Sequence, residues 1–317
     1  WVQASGEAHA DDARHAYRRA GTEHVSTWQE VIQEIQTAPN QFDAVRTQYL
    51  SKLAKYRGRN VIAYYSSFLH KNQFDSSIND LDVQSFMATI HGLDRAKGLD
   101  LVLHTPGGGI AATEALVTYL LEMFSGDIEV FVPQIAMSAG TMIACCSRRI
   151  HLGKHSSLGP IDPQINGVAA KGVIEEFDRA KREIAEDQGS YLVWKAILEK
   201  YPPSFIDACQ KAIEWSELTT AKWLSEGMFR DEGGHENLAN KTDEFLSSRN
   251  THFAHERHIG IIEAKEAGLV ITALEDDQEL QELVVTLHHA YSHTLQQTSA
   301  AKIVENQNGV RVVNNIR

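Results

Sequence analysis

Between residues 60 and 160, short apolar runs alternate with stretches of helical period. That alternation narrows the fold more than any other feature. "NVIAYYS", "LDLVLHT" and "DIEVFVP" are too short for stable helices and nearly continuous in apolar character, so they read as buried strands. "INDLDVQSFMATIHGL", "GIAATEALVTYLLEMF" and "AGTMIACC" carry the helical spacing between them, with Asp80 or Asp82 as the expected cap of the first, and "RRIHLG" adds a further strand. Strands separated by helices predict a mainly parallel sheet covered by helices, an α/β fold.

The flanks read differently. Residues 1–57 predict a helical N-terminal arm. Ser26-Thr27 with Glu30 predicts a capping box ahead of "WQEVIQEIQ", and Gly58 in "YRGRN" is the expected stop. From about 173 to 297 the pattern is mostly helical, through "VIEEFDRAKREIAEDQGSYLVWKAILEKY" to "DQELQELVVTLHHAYSHTL", with one short strand in "AGLVITALED". Trp194, Trp215 and Trp223 fit helix packing better than a binding cage. Residues 58–297 are therefore expected to form the main domain. Residues 298–317 show no sustained period and read as a mobile tail or a partner-contacting strand.

Charge and cysteine content exclude several classes. The chain has 30 Lys and Arg against 42 Asp and Glu in 317 residues, a formal net charge of -12. A nucleic-acid partner is not expected, because such affinity comes from cations on phosphates. No apolar run approaches the ~20 residues of a membrane span. The N-terminal stretch is polar, so no signal peptide is expected. Three cysteines, Cys145, Cys146 and Cys209, read as free buried thiols in a reducing compartment, which makes a cytoplasmic location the expectation.

Two loops at strand ends could carry chemistry. In "LHTPGGGIAATEA", Gly107 and Gly108 allow unusual backbone angles and close substrate approach, and N–H groups there can stabilise an oxyanion; the same glycines also suit a plain tight turn. No Lys-Ser/Thr follows, so it is not a phosphate loop. In "PQIAMSAGTM", Ser138 stands at a strand-to-helix corner with small neighbours. A nucleophile needs that placement, with the Ala139 N–H as oxyanion donor, and a helix N-cap occupies it equally well. "HSSLGPIDPQING" sets Asp162 between Ile161 and Pro163 in a rigid turn. His289 and His293 stand one helical turn apart, but no third ligand is indicated, and no metal is expected.

Taken together, "LDLVLHTPGGGIAATEA", "VPQIAMSAGTMIA" and "SSLGPIDPQ" resemble the serine dehydrogenase proteinase family. That family is a branch of the Clp protease and signal peptide peptidase A superfamily, with the ClpP/crotonase fold. The resemblance runs from about Arg59 through "LHHAYSHTL". It implies a serine peptidase acting on peptides or unfolded polypeptide, with no cofactor, in a ring-like homo-oligomer. Ser138 is then the nucleophile and Asp162 its supporting carboxylate. "THFAHERHI" offers His252, His255 and His258 as base, of which His255 matches best and His252 next. Gly107, Gly108 and Ala139 would form the oxyanion hole. Tyr64, Ser66 and His104 fall at strand ends that line the substrate groove in the superfamily. Signal peptide peptidase A relatives use a Ser-Lys dyad instead, for which Lys171 is the candidate. An acyl-CoA enzyme of the crotonase type and a catalytically silent scaffold are the other classes the fold admits.

Overall fold

A computed structural model describes residues 27–38, 41–71, 76–247 and 256–316. The arm contributes helices α1 (Trp28–Thr37) and α2 (Phe42–Arg57). The capping box is formed: Glu30 N–H donates to Thr27 Oγ1 at 3.3 Å, and Thr27 N–H donates to Glu30 Oε2 at 2.7 Å. Val31 and Ile35, one turn apart, face inward. Gly58 ends α2 in the left-handed region at φ 67°, its N–H closing on the Ala54 carbonyl.

The α/β alternation follows as β1 (Asn60–Ser66), α3 (Leu81–Ile90), β2 (Leu99–His104), α4 (Ile110–Phe124), β3 (Ile128–Val132), β4 (Ile135–Ala136), α5 (Ala139–Cys145) and β5 (Arg149–Leu152). Short strands β6 (Ser157–Leu158), β7 (Gln164–Ile165) and β8 (Val168–Ala169) come next, then helices α6 (Ala170–Glu186), α7 (Tyr191–Leu198), α8 (Phe205–Trp223) and α9 (His235–Ser247). The chain closes through α10 (Ile261–Glu266), β9 (Ile271–Ala273), α11 (Gln278–Gln297), β10 (Ala300–Asn306) and β11 (Arg311–Asn315).

Seven strands form one sheet in the order β11-β10-β1-β2-β3-β5-β9. The five from β1 to β9 run parallel, with Ile62 opposite Leu101 and Leu101 opposite Val130. One face packs Ile62, Leu101 and Val130 against Phe86 of α3, Leu116 of α4 and Ile143 of α5. The other packs Val61, Ala63 and Phe131 against Leu50 and Leu53 of α2 and Leu287 of α11. Central strands buried on both faces account for their continuous apolar runs. A separate small cluster of Ala170, Val173, Phe205 and Cys209 joins α6 to α8.

The aperiodic segment after residue 298 is part of the main sheet. β10 runs antiparallel to β1, with Ile62 opposite Asn306, and β11 pairs outside it. Its strand character is masked in sequence because it buries charges. Lys302 Nζ lies 2.9 Å from both carboxylate oxygens of Asp82. Glu305 Oε2 accepts from Arg46 Nε at 2.8 Å. Asp82 is thereby a core ion-pair partner, and Asp80, in the cap position of α3, makes no side-chain cap bond.

Candidate active site

Ser138 sits between β4 and α5 with φ 51° and ψ -114°. A non-glycine residue rarely adopts positive φ, and such strain persists only where the surroundings enforce it. Here they do. Thr105, just past β2, donates its N–H to the Ile135 carbonyl and accepts from Met137 N–H, bonding the residue before Ser138 to the end of the sheet. Although Ser138 holds the cap position of α5, its side chain makes no cap hydrogen bond. The hydroxyl is therefore not committed to the helix.

The glycine loop packs against this corner. Gly107 has φ +97°, and a Cβ there would stand 2.7 Å from the Met137 carbonyl oxygen and 3.0 Å from Ala139 N. A Cβ on Gly108 would overlap the Ile78 backbone, with which Gly108 forms an isolated bridge. Gly107 N–H donates to Thr105 Oγ1 at 3.2 Å. Ala139 N–H is the first of α5, one of the donors that a helix leaves without an internal partner.

Asp162 reaches the same cleft. A cavity of about 480 Å³ is lined by Gly107, Gly108, Ser138, Ala139 and Asp162, with Met142, Ile161, Trp215 and Ser216 among its other walls. Buried Thr141 ties the two halves together: its Oγ1 accepts from Gly159 N–H at 3.0 Å, joining α5 to the strand that leads to Asp162. On either side, Ile161 N–H donates to the Leu246 carbonyl at 2.9 Å, and Ala170 N–H to the Pro163 carbonyl at 2.8 Å.

His252 and His255 lie outside the described residues. The chain on both sides of them is fastened beside Asp162. Leu246 is held by Ile161, and Ile259 exchanges two backbone hydrogen bonds with Leu158, at 3.0 and 2.8 Å. His258, the third histidine of that segment, is exposed, and its Nδ1 lies 2.7 Å from Ser157 Oγ.

Other named residues are placed elsewhere. Tyr64 is buried, stacks on Phe86 and donates to Asp82 Oδ2 at 3.1 Å. Ser66 is buried and donates to the Ser76 carbonyl at 2.8 Å. His104 is buried on the far side of β2 between Tyr65 and Phe68, with Nε2 3.2 Å from Gln134 Oε1; burial pulls its pKa down to about 4. None of the three is in the cleft wall. Lys171 Nζ donates to Glu217 Oε1 at 2.7 Å and to the Ser247 carbonyl at 2.9 Å, and Lys171 also stands outside that wall. His289 and His293 flank the Trp28 ring, and among the described residues no three His, Cys, Asp or Glu side chains gather as a metal site.

Sequence reasoning missed Trp215. Trp194 and Trp223 are buried helix-packing residues, but Trp215 is 41% exposed, lines the cleft and donates from Nε1 to Glu114 Oε2 at 3.0 Å. Its position beyond the core face of α8 was the only available signal. The Ser157–His258 contact had none, because 101 residues separate the partners.

A mainly parallel seven-stranded sheet covered by helices is the architecture of the ClpP-like class of protein. The chain belongs to the ClpP-like SDH-type serine proteinase family, whose model matches residues 31–308. It is similar to two uncharacterized proteins of Methanocaldococcus jannaschii. MJ0137 is 27% identical over 235 residues, 73% of this chain and 72% of that protein. MJ1495 is 27% identical over 150 residues, 45% of this chain and 50% of that protein. No helix among the described residues is long and apolar enough to cross a membrane.

Proposed function

We propose that the protein hydrolyses peptide bonds in peptides or unfolded polypeptide, with Ser138 as nucleophile. The reading is carried by the meeting of a strained, uncapped Ser138 with Asp162 and the Gly107–Gly108 loop in one cleft. His255 takes the Ser138 Oγ proton as Oγ bonds to the carbonyl carbon, and Asp162 orients the imidazole. The oxyanion is received by N–H groups of the glycine loop and of Ala139. Gly108 and Ala139 suit this better than Gly107, whose N–H is engaged by Thr105. Collapse breaks the C–N bond, His255 protonates the leaving amine, and water then releases the acyl group by the reverse path.

Support for the Ser-Lys alternative is weaker, since the Lys171 ammonium is held by Glu217 and the Ser247 carbonyl. A homo-oligomer belongs to the same proposal. Leu192 and Val193 on α7 and Leu218 on α8 are 73%, 63% and 73% exposed, apolar surface that a second copy would cover. A reducing, cytoplasmic setting accords with the three free, buried thiols.

The test is labelling by a fluorophosphonate probe. Wild-type protein is labelled on Ser138, and Ser138→Ala is not. An unlabelled wild type, or equal labelling of the variant, ends the proposal. Sedimentation velocity reads the assembly; a monomer at all concentrations removes the oligomer.

A further inference from the structure

Lys171 sits in the first turn of α6 with its side chain turned into the protein body. Its Nζ reaches Ser247 at the end of α9 and Glu217 on α8. The neighbouring bonds give that contact a meaning. Starting at Asp162, the chain passes to Pro163, whose carbonyl accepts from Ala170 N–H at 2.8 Å. Lys171 follows, and its ammonium donates to the Ser247 carbonyl at 2.9 Å. The preceding carbonyl, Leu246, accepts from Ile161 N–H at 2.9 Å, and Ile161 leads back to Asp162. The bonds make a closed ring with Asp162 on it. Two of its three non-covalent links join backbone to backbone. Lys171 supplies the only side-chain link.

We propose that Lys171 is a positioning residue, whose ammonium closes this ring and thereby fixes Asp162 in the cleft. Removing it opens the ring: the Pro163–Ala170 and Ile161–Leu246 backbone bonds remain, but the link from α6 to the Ser247 carbonyl at the end of α9 is lost. Glu217 also holds the ammonium, at 2.7 Å. Asp243 of α9, buried one turn before Ser247, adds a second carboxyl close enough to interact with Lys171. The cation is thus held by α8 and α9 together. The consequence for turnover rests on the peptidase reading above; the ring itself does not.

The test compares Lys171→Met and Lys171→Arg with the wild-type full chain. Amide hydrogen exchange at Ile161 reads the ring, with Ile150 in β5 as the control for global unfolding. Fluorophosphonate labelling and peptide turnover read the consequence. In Lys171→Met, exchange at Ile161 quickens about tenfold while Ile150 is unchanged, and labelling and kcat fall about tenfold with KM within about twofold. Lys171→Arg, which keeps the cation, stays within about threefold of wild type on every readout. Unchanged Ile161 exchange in Lys171→Met overturns the ring. Quickened exchange with unchanged turnover overturns the positioning role. Equal inactivity of both variants with unchanged exchange assigns Lys171 to proton transfer instead. If the wild type is neither labelled nor active, the peptidase reading falls and the catalytic consequence with it; the exchange comparison still decides the ring.

Discussion

Gly107 and Ser138 stand back to back: a Cβ built on Gly107 would lie 2.9 Å from the Ser138 Cβ. The close approach, with φ +97° at Gly107, leaves no room for any side chain there. Gly107→Ala must push the loop off the serine corner. Fluorophosphonate labelling of Ser138 is expected to drop by about a hundredfold, the order lost with an oxyanion donor, while the protein still unfolds cooperatively. Labelling at the wild-type rate would show that the loop and the serine are not coupled.

Strain at Ser138 has a stability signature. Its φ of 51° is costly for any residue with a Cβ. Replacement by glycine relieves that cost, whereas alanine retains it. Both variants lose the hydroxyl, so the comparison isolates the backbone. Ser138→Gly is expected to be more stable than Ser138→Ala by about 1 kcal/mol in urea unfolding, against the usual ranking in which glycine is the less stable. Alanine at or above glycine would mean the corner is unstrained in solution.

Asp243 gives a pH dependence. Burial lifts its carboxyl to about 7, with Glu217 adding to the rise and Lys171 opposing it. The unfolded chain has its ordinary carboxylate value of 3.8. Between those values the native protein holds a proton that the unfolded chain has released, so native stability falls as pH rises through the window and the loss is complete above it. Asp243→Asn carries no such loss. Its stability relative to wild type should therefore be greater at about pH 8 than at about pH 5, by on the order of 1 kcal/mol or more. The same difference at both pH values would mean that Asp243 titrates normally.

The histidines separate by substitution. His258→Ala and Ser157→Ala remove a part-buried contact between β6 and the exposed His258 and are expected to keep turnover within about threefold of wild type. His255→Ala is expected to lose about a thousandfold or more. A reversal of that order, with His258 the sensitive one, would move the base to the Ser157 side.

Much of the architecture was legible because its signals are local. Continuous apolar runs named the central strands, a capping box opened α1, and Gly58 closed α2. The Ser138 corner showed itself through small neighbours and the glycines before it. What escaped depends on partners far apart in the chain. Lys302 and Glu305 look like solvated charges until Asp82 and Arg46 are brought to them, 220 and 259 residues away. Strand β10 was hidden for that reason. Tyr64 and Ser66 differ: their partners Asp82 and Ser76 are only 18 and 10 residues away, but the direction in which a strand-end side chain turns is set by packing and not by local sequence. Lys171 was legible only as a dyad candidate, because its partner Ser247 lies 76 residues away.

The pairing of β1 with β10 also sets a schedule for synthesis. Asn306, the antiparallel neighbour of Ile62, is made 244 residues after it. Until then one side of β1 presents an open edge, the kind of surface on which nascent chains aggregate. Contacts of such long range also slow folding. The Arg46–Glu305 and Asp82–Lys302 pairs lock only when that late strand arrives, so a nascent chain that has already formed its serine corner is still an unfinished sheet.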